Sequence, residues 1–143
     1  MPYGGNDWLA LTQEPTLEPE LPICDSHHHF WDFRIARIPY QRYLLHELAA
    51  DINSGHNVRS TVFVETRAMY HTDRPVEMRS VGEVEFVQGL AAASASGLYG
   101  PGRAAAAVVG HTNLNLGVRV EPVLKALRAA SPNRFRGIRH SVT

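Results

Sequence analysis

Four short segments rich in β-branched residues alternate with three segments whose apolar residues recur at helical spacing, and this rhythm restricts the fold more than any other property of the chain. The strand-like segments run roughly from Ile23 to His29, from Val58 to Glu65, from Ala104 to His111 and from Phe135 to Val142. Between them, Leu45, Leu48, Ala49 and Ile52 fall at i, i+3, i+4 and i+7, and Val120, Val123, Leu124 and Leu127 repeat the pattern. Val81, Val84, Val87, Leu90 and Ala91 share one side of a further helix. Ser54-Gly55 and Ser131-Pro132-Asn133 act as helix stops, while Pro122 suits a first turn and Lys125 and Arg128 suit a negative carboxyl end. Strand, helix, strand in this order implies parallel strands joined by right-handed crossovers, hence an α/β domain.

Composition narrows the classes of function. The chain has 143 residues, 44% hydrophobic and 20% charged, which suits one soluble domain. Lys+Arg and Asp+Glu both number 14, so no basic excess draws a phosphate backbone and nucleic acid is not an expected partner. Cys24 is the only cysteine, which excludes an intrachain disulfide and a thiolate zinc site and suits a reducing cytoplasm. No apolar run approaches the ~18 residues of a membrane span, so no membrane partner is expected either. Residues 1–21, with Pro2, Pro15 and Pro19 among polar neighbours, read as a flexible leader, and residues 22–143 as the folded domain. Gly97, Gly100, Pro101 and Gly102 precede a strand, whereas a phosphate cradle follows one, so they read as an ordinary connection and a nucleotide-binding domain is disfavoured.

Parallel α/β folds carry ligands at the carboxyl ends of their strands, and polar residues collect there. In Cys24-Asp25-Ser26-His27-His28-His29-Phe30-Trp31-Asp32, strand alternation sends His27 and His29 to one side, Asp25 beneath them and His28 to the other. Their Cα atoms would lie roughly 6.5 to 7 Å apart, close enough for both rings to hold one divalent ion or polarise one carbonyl oxygen. Alternation also places Val58, Val62 and Val64 under the helices and turns Thr61, Phe63 and Glu65 inward. In the last strand Ile138 and Val142 take the helix side, Gly137, Arg139 and Ser141 point inward, and His140 points away. Glu65 and His29 can then move protons, Arg139 can hold a carboxylate through its guanidinium fork, and His111 and Trp31 stand where a substrate would rest. A plainer reading makes His27 and His29 partly buried histidines satisfied by backbone groups, His111 a loop residue, Arg139 and Glu65 an ion pair that neutralises two buried charges, and Trp31 an anchor for its loop. His46, His56 and His71 read as solvated.

The motifs Asp25 to Asp32, Val62-Phe63-Val64-Glu65, Val108-Val109-Gly110-His111 and Arg136-Gly137-Ile138-Arg139-His140 together resemble the amidohydrolase superfamily, in its branch of sugar lactonases and pyrone-dicarboxylate lactonases. The resemblance covers residues 22 to 143. It implies a TIM (β/α)₈ barrel that hydrolyses a lactone, ester or amide carbonyl of a small substrate, or in one branch removes a carboxylate. By that resemblance His27 and His29 bind a divalent metal such as zinc, or the substrate carbonyl directly in relatives that use no metal, and Arg139 holds a substrate carboxylate or hydroxyl. A full barrel takes ~250 residues and eight strands, whereas about four β/α units are counted here. The chain therefore reads as the amino-terminal half of such an enzyme, competent once another half or a further copy completes it. The alternative is a non-catalytic α/β interaction module.

Overall fold

The computed structural model describes residues 10–33 and 41–141. Four parallel strands, β1 (Ile23–His28), β4 (Val58–Val64), β5 (Arg103–His111) and β6 (Phe135–Arg139), form one sheet in the order β1-β4-β5-β6. Between β1 and β4 the chain makes a small antiparallel hairpin, β2 (Trp31–Phe33) with β3 (Gln41–Tyr43). Sequence periodicity leaves this region as a loop; the aromatic pairs Trp31–Phe33 and Trp31–Tyr43, with ring centroids 6.1 and 5.7 Å apart, hold the hairpin together.

The helices α1 (Leu45–Ile52), α2 (Val81–Ala95) and α3 (Glu121–Ala130) follow β3, β4 and β5. Helix α1 buries its whole stripe, Leu45, Leu48, Ala49 and Ile52; α2 buries Val81, Val84, Val87 and Ala91 with Leu90 half-buried, and α3 buries Val123 and Leu127 while Leu124 is half-buried and Val120 precedes the helix. All three stripes join one core with Phe63, Ala104, Ala105 and Val108 of the sheet. Fully burying side chains such as Phe63, Val108 and Leu127 contributes ~1.5–3 kcal/mol each before the entropy of ordering them is counted. Gly110 is required by close approach, because a Cβ there would stand 3.1 Å from Val84 and 3.3 Å from Phe135. Helix ends are finished by side chains: Glu47 accepts from the Leu44 N–H at 2.9 Å, and Ser131 donates to Gln88 at 2.7 Å where α3 stops.

Each strand pair of the four-stranded sheet contains a register shift, and these shifts change which residues share a face. One extra residue in β4, between Val58 and Ser60, reverses the alternation that the sequence suggests. Phe63, expected to face inward, is fully buried in the helix-packed core and stacked on Phe30, whereas Val62, expected under the helices, is half-buried. Thr61 is fully buried too, and its Oγ1 accepts from the Ala105 N–H at 2.9 Å, where β5 takes up its own extra residues with Ala105 at a left-handed φ of 48°. The last strand stops at Arg139, so the expected strand residues His140 and Ser141 lie beyond it and Val142 lies outside the described residues. Ile138 packs against the core as expected. Among the described residues no helix is long and apolar enough to cross a membrane.

Candidate functional site

The carboxyl ends of the four parallel strands form a rim on which the sequence-selected polar residues stand. A second shift, between Asp25 and His28, pairs Asp25 with Thr61 and His28 with Phe63. Residues paired in parallel register share a side of the sheet, so Asp25 joins His28 on the helix side and does not lie beneath His27 and His29. Its Oδ1 accepts from the His27 N–H at 3.1 Å. His28 is buried, packed edge-on against Phe30 and Phe63 at 4.7 and 5.9 Å. Burial drives its pKa down to about 4, so the ring is neutral, and its Nε2 has no partner.

His27 and His29 do meet, edge to face, with ring centroids 4.9 Å apart. The His29 Nδ1–H donates to the Val64 carbonyl at 2.8 Å, which fixes the tautomer and leaves Nε2 with its lone pair. Trp31 lies 6.1 Å from the His29 ring while also stacking within the hairpin, so it anchors its loop and borders the histidines at once.

At the other strands, β4 ends with Val64, and Glu65 follows with its N–H donated to the Val109 carbonyl at 2.9 Å. Arg139 reaches across β5 to Glu65, Nε donating to Oε1 at 2.8 Å and Nη2 to the backbone oxygen at 2.7 Å. The Glu65 side chain is 6% exposed and that of Arg139 40% exposed, so a sealed carboxylate is matched by a half-open guanidinium. His111 donates its Nδ1–H to the Arg139 carbonyl at 3.0 Å, which again leaves Nε2 as the acceptor. His140, expected on the far side, lies 5.8 Å from the His111 ring because alternation no longer governs it past the strand end.

One residue of this rim escapes motif reading. Glu83, in the first turn of α2, is fully buried, and its Oε1 accepts from the Thr66 and Ala68 N–H groups at 3.0 and 2.7 Å. It thereby secures a loop in which Arg67 and Met69 hold left-handed φ angles of 62° and 53°. Gly82 lets that loop lie on the helix, since a Cβ there would meet the Met69 oxygen at 2.6 Å. Burial pushes the Glu83 carboxyl up to about 7, against the two backbone bonds, and Oε2 has no partner. The signal was present: Glu83 sits within the apolar stripe of Val84, Val87 and Ala91, where a carboxylate is out of place.

Among the described residues, no group of three or more His, Cys, Asp or Glu side chains converges on one ion. The rim thus comprises a histidine pair at β1 and a hydrogen-bonded group of Glu65, Arg139 and His111 across β4 to β6. Compared with known protein families, curated proteins and solved structures, the chain matches none.

Proposed function

We propose that this sheet is an arc of a (β/α)₈ barrel of the amidohydrolase kind, and that its rim hydrolyses a lactone, ester or amide carbonyl of a small sugar-acid or dicarboxylate substrate. Support for the barrel comes from strand order: consecutive parallel strands lie side by side, with all three helices in one core against one face. A doubly wound sheet would reverse its order and offer a crevice at the reversal, and this sheet has none, which also disfavours a nucleotide site. Further β/α units or a second copy would complete the rim.

The observation that carries the hydrolase reading is the shared tautomer of His29 and His111, each donating Nδ1–H to a neighbouring strand's carbonyl. Imidazoles oriented in this way present the Nε2 lone pair either to a metal or to a donor such as water or a substrate hydroxyl. His27 and His29, with ring centroids 4.9 Å apart, are the residues that would hold a divalent ion such as zinc. Such an ion, when bound, supplies Lewis-acid polarisation of the carbonyl; in a metal-free version a ring N–H of His27 holds the carbonyl oxygen, and the His29 Nε2 lone pair stands beside it as a proton acceptor. Arg139 receives a substrate carboxylate on its exposed side. That carboxylate competes with Glu65 for the guanidinium, and the released Glu65 accepts a proton from the attacking water. Trp31 closes the mouth beside His29.

The test is hydrolysis of a panel of sugar-acid and dicarboxylate lactones by the chain in its completed form. We expect His29→Ala to lower kcat/KM by about 100-fold or more. Turnover unchanged in that variant would reject the assignment. Elemental analysis of the wild type beside the His27→Ala, His29→Ala double variant separates the versions, because equal metal content rejects ion binding and leaves the metal-free one. A non-catalytic module with Glu65 and Arg139 as a structural ion pair predicts instead a monodisperse protein that turns over nothing and binds no metal.

A further inference from the structure

Beyond the strand ends, the loop after β4 and the loop after β5 enclose a cleft of about 400 Å³. Sites that hold small organic ligands begin at roughly this size. Its walls include Arg67, Tyr70, Arg79, Ser80, His111 and Thr112. Ser80 is 3% exposed and Thr112 1%, and the Ser80 Oγ, the Thr112 Oγ1 and the Tyr70 Oη all lack a hydrogen-bond partner. A buried hydroxyl without a partner is costly, and folded proteins leave few of them. Here all three belong to residues that line one cleft.

Their chemistry defines what would satisfy them. Each hydroxyl both donates and accepts, so the three suit a ligand that does the same. Burial raises the Tyr70 phenol's pKa, with the Glu83 and Glu65 carboxylates adding to the effect and Arg67 opposing it, so its proton stays available for donation. Arg67 and Arg79 bring guanidinium charge, suited to a carboxylate. Glu77 also lines the cleft, where it would repel a compact dianion such as phosphate but accept a bond from a ligand hydroxyl.

We propose that this cleft binds a small hydroxy acid, its carboxylate against Arg67 and Arg79 and its hydroxyl exchanged with Ser80 and Thr112. The proposal rests on the hydrolase reading for its purpose, since a lactone opens to a hydroxy acid, but its test needs no turnover. The cleft shares His111 with the rim, and Tyr70 stands in the field of Glu65, so a ligand seated here adjoins the proposed reaction centre.

Calorimetric titration of the full chain with malate, succinate and inorganic phosphate tests it. Malate should bind about 10-fold more tightly than succinate, which lacks the hydroxyl, because a site built around a hydroxyl rejects the analogue without one. Ser80→Ala and Thr112→Val should each weaken malate by about 10-fold while leaving the melting temperature of the ligand-free protein unchanged or higher, since each removes an unpaired buried hydroxyl. A purely structural role would instead lower the melting temperature and spare the affinity. Equal affinity for malate and succinate, wild-type affinity in both hydroxyl variants, or tighter binding of phosphate than malate would each overturn the proposal. His29→Ala separates the two readings: malate binding retained with turnover lost supports both. Malate bound by a wild type that hydrolyses nothing overturns the hydrolase alone, and hydrolysis without malate binding overturns the cleft alone.

Discussion

The two ends of the parallel sheet treat their polar groups in opposite ways. Toward the amino end the buried polar side chains have partners: Thr61 takes the Ala105 N–H, and Ser94 takes the Ala104 N–H at 3.0 Å, while the exposed Asn53 donates to the Ala49 and Tyr99 carbonyls at 2.6 and 3.1 Å. At the carboxyl end lie His28 Nε2, Tyr70 Oη, Ser80 Oγ, Glu83 Oε2 and Thr112 Oγ1, which among the described residues are all the buried side-chain atoms that lack one. One end is closed chemistry that stabilises the sheet; the other is open chemistry that needs a ligand or water. Folds with parallel strands keep their sites at this same end.

The largest expected effect concerns two titrating groups at the open end. His28 has its pKa depressed to about 4 from 6.5, so its contribution to stability is present above pH 6.5 and is lost as pH falls toward 4. Glu83 has its pKa raised to about 7 from 4.5, so its contribution is present below pH 4.5 and is lost as pH rises toward 7. Each is worth up to about 3 kcal/mol, and between pH 4.5 and 6.5 they oppose each other. Urea unfolding of Glu83→Gln should therefore show stability falling with acid, and His28→Leu stability falling toward neutrality. Parallel profiles in the two variants would contradict the assignment.

Next in size is Arg139→Met, which leaves the Glu65 carboxylate buried without its charge partner and should lower the unfolding free energy by about 2 kcal/mol, below the range for fully sealed pairs because Arg139 is 40% exposed. The double variant with Glu65→Gln should recover part of that loss, and additive losses would mean that the pair is not coupled. At the closed end, Thr61→Val orphans the Ala105 N–H and should reduce stability by about 1.5 kcal/mol. If it proves as harmless as Thr112→Val at the open end, the contrast between the ends collapses. Smallest is Ala105→Gly, which relieves a left-handed φ of 48° and should raise stability by about 1 kcal/mol or less in the same unfolding assay.

The elements of this fold were largely legible from periodicity, because α1, α2 and α3 bury the stripes that spacing picks out and the four main strands start within a residue of their expected positions. Faces were less legible. A single extra residue near Arg59 reverses β4, so Phe63 exchanged sides with Val62, and another between Asp25 and His28 moved Asp25 away from the histidine pair. Bulges leave little trace in a run of β-branched residues, since what sets them is pairing with a neighbouring strand. The hairpin of Trp31–Phe33 with Gln41–Tyr43 was hidden for a related reason: three-residue strands are too short to show a period. Of the candidate site, His27, His29, Glu65, His111 and Arg139 were selected from motifs, whereas Glu83, Ser80 and Thr112 stand out through burial, which only the packed structure discloses.

The clasp of Arg139 on Glu65 joins residues 74 positions apart and spans an intervening strand. Among the described residues the strand pairs of the sheet join its members in their order along the chain, β1 with β4, β4 with β5 and β5 with β6, so assembly can follow synthesis. Until β6 arrives, the Glu65 carboxylate is a charge entering the interior without its counter-ion. The last strand of the described sheet therefore supplies the counter-ion for a charge that the second strand carries inward, and the sheet is electrostatically complete only when both are in place.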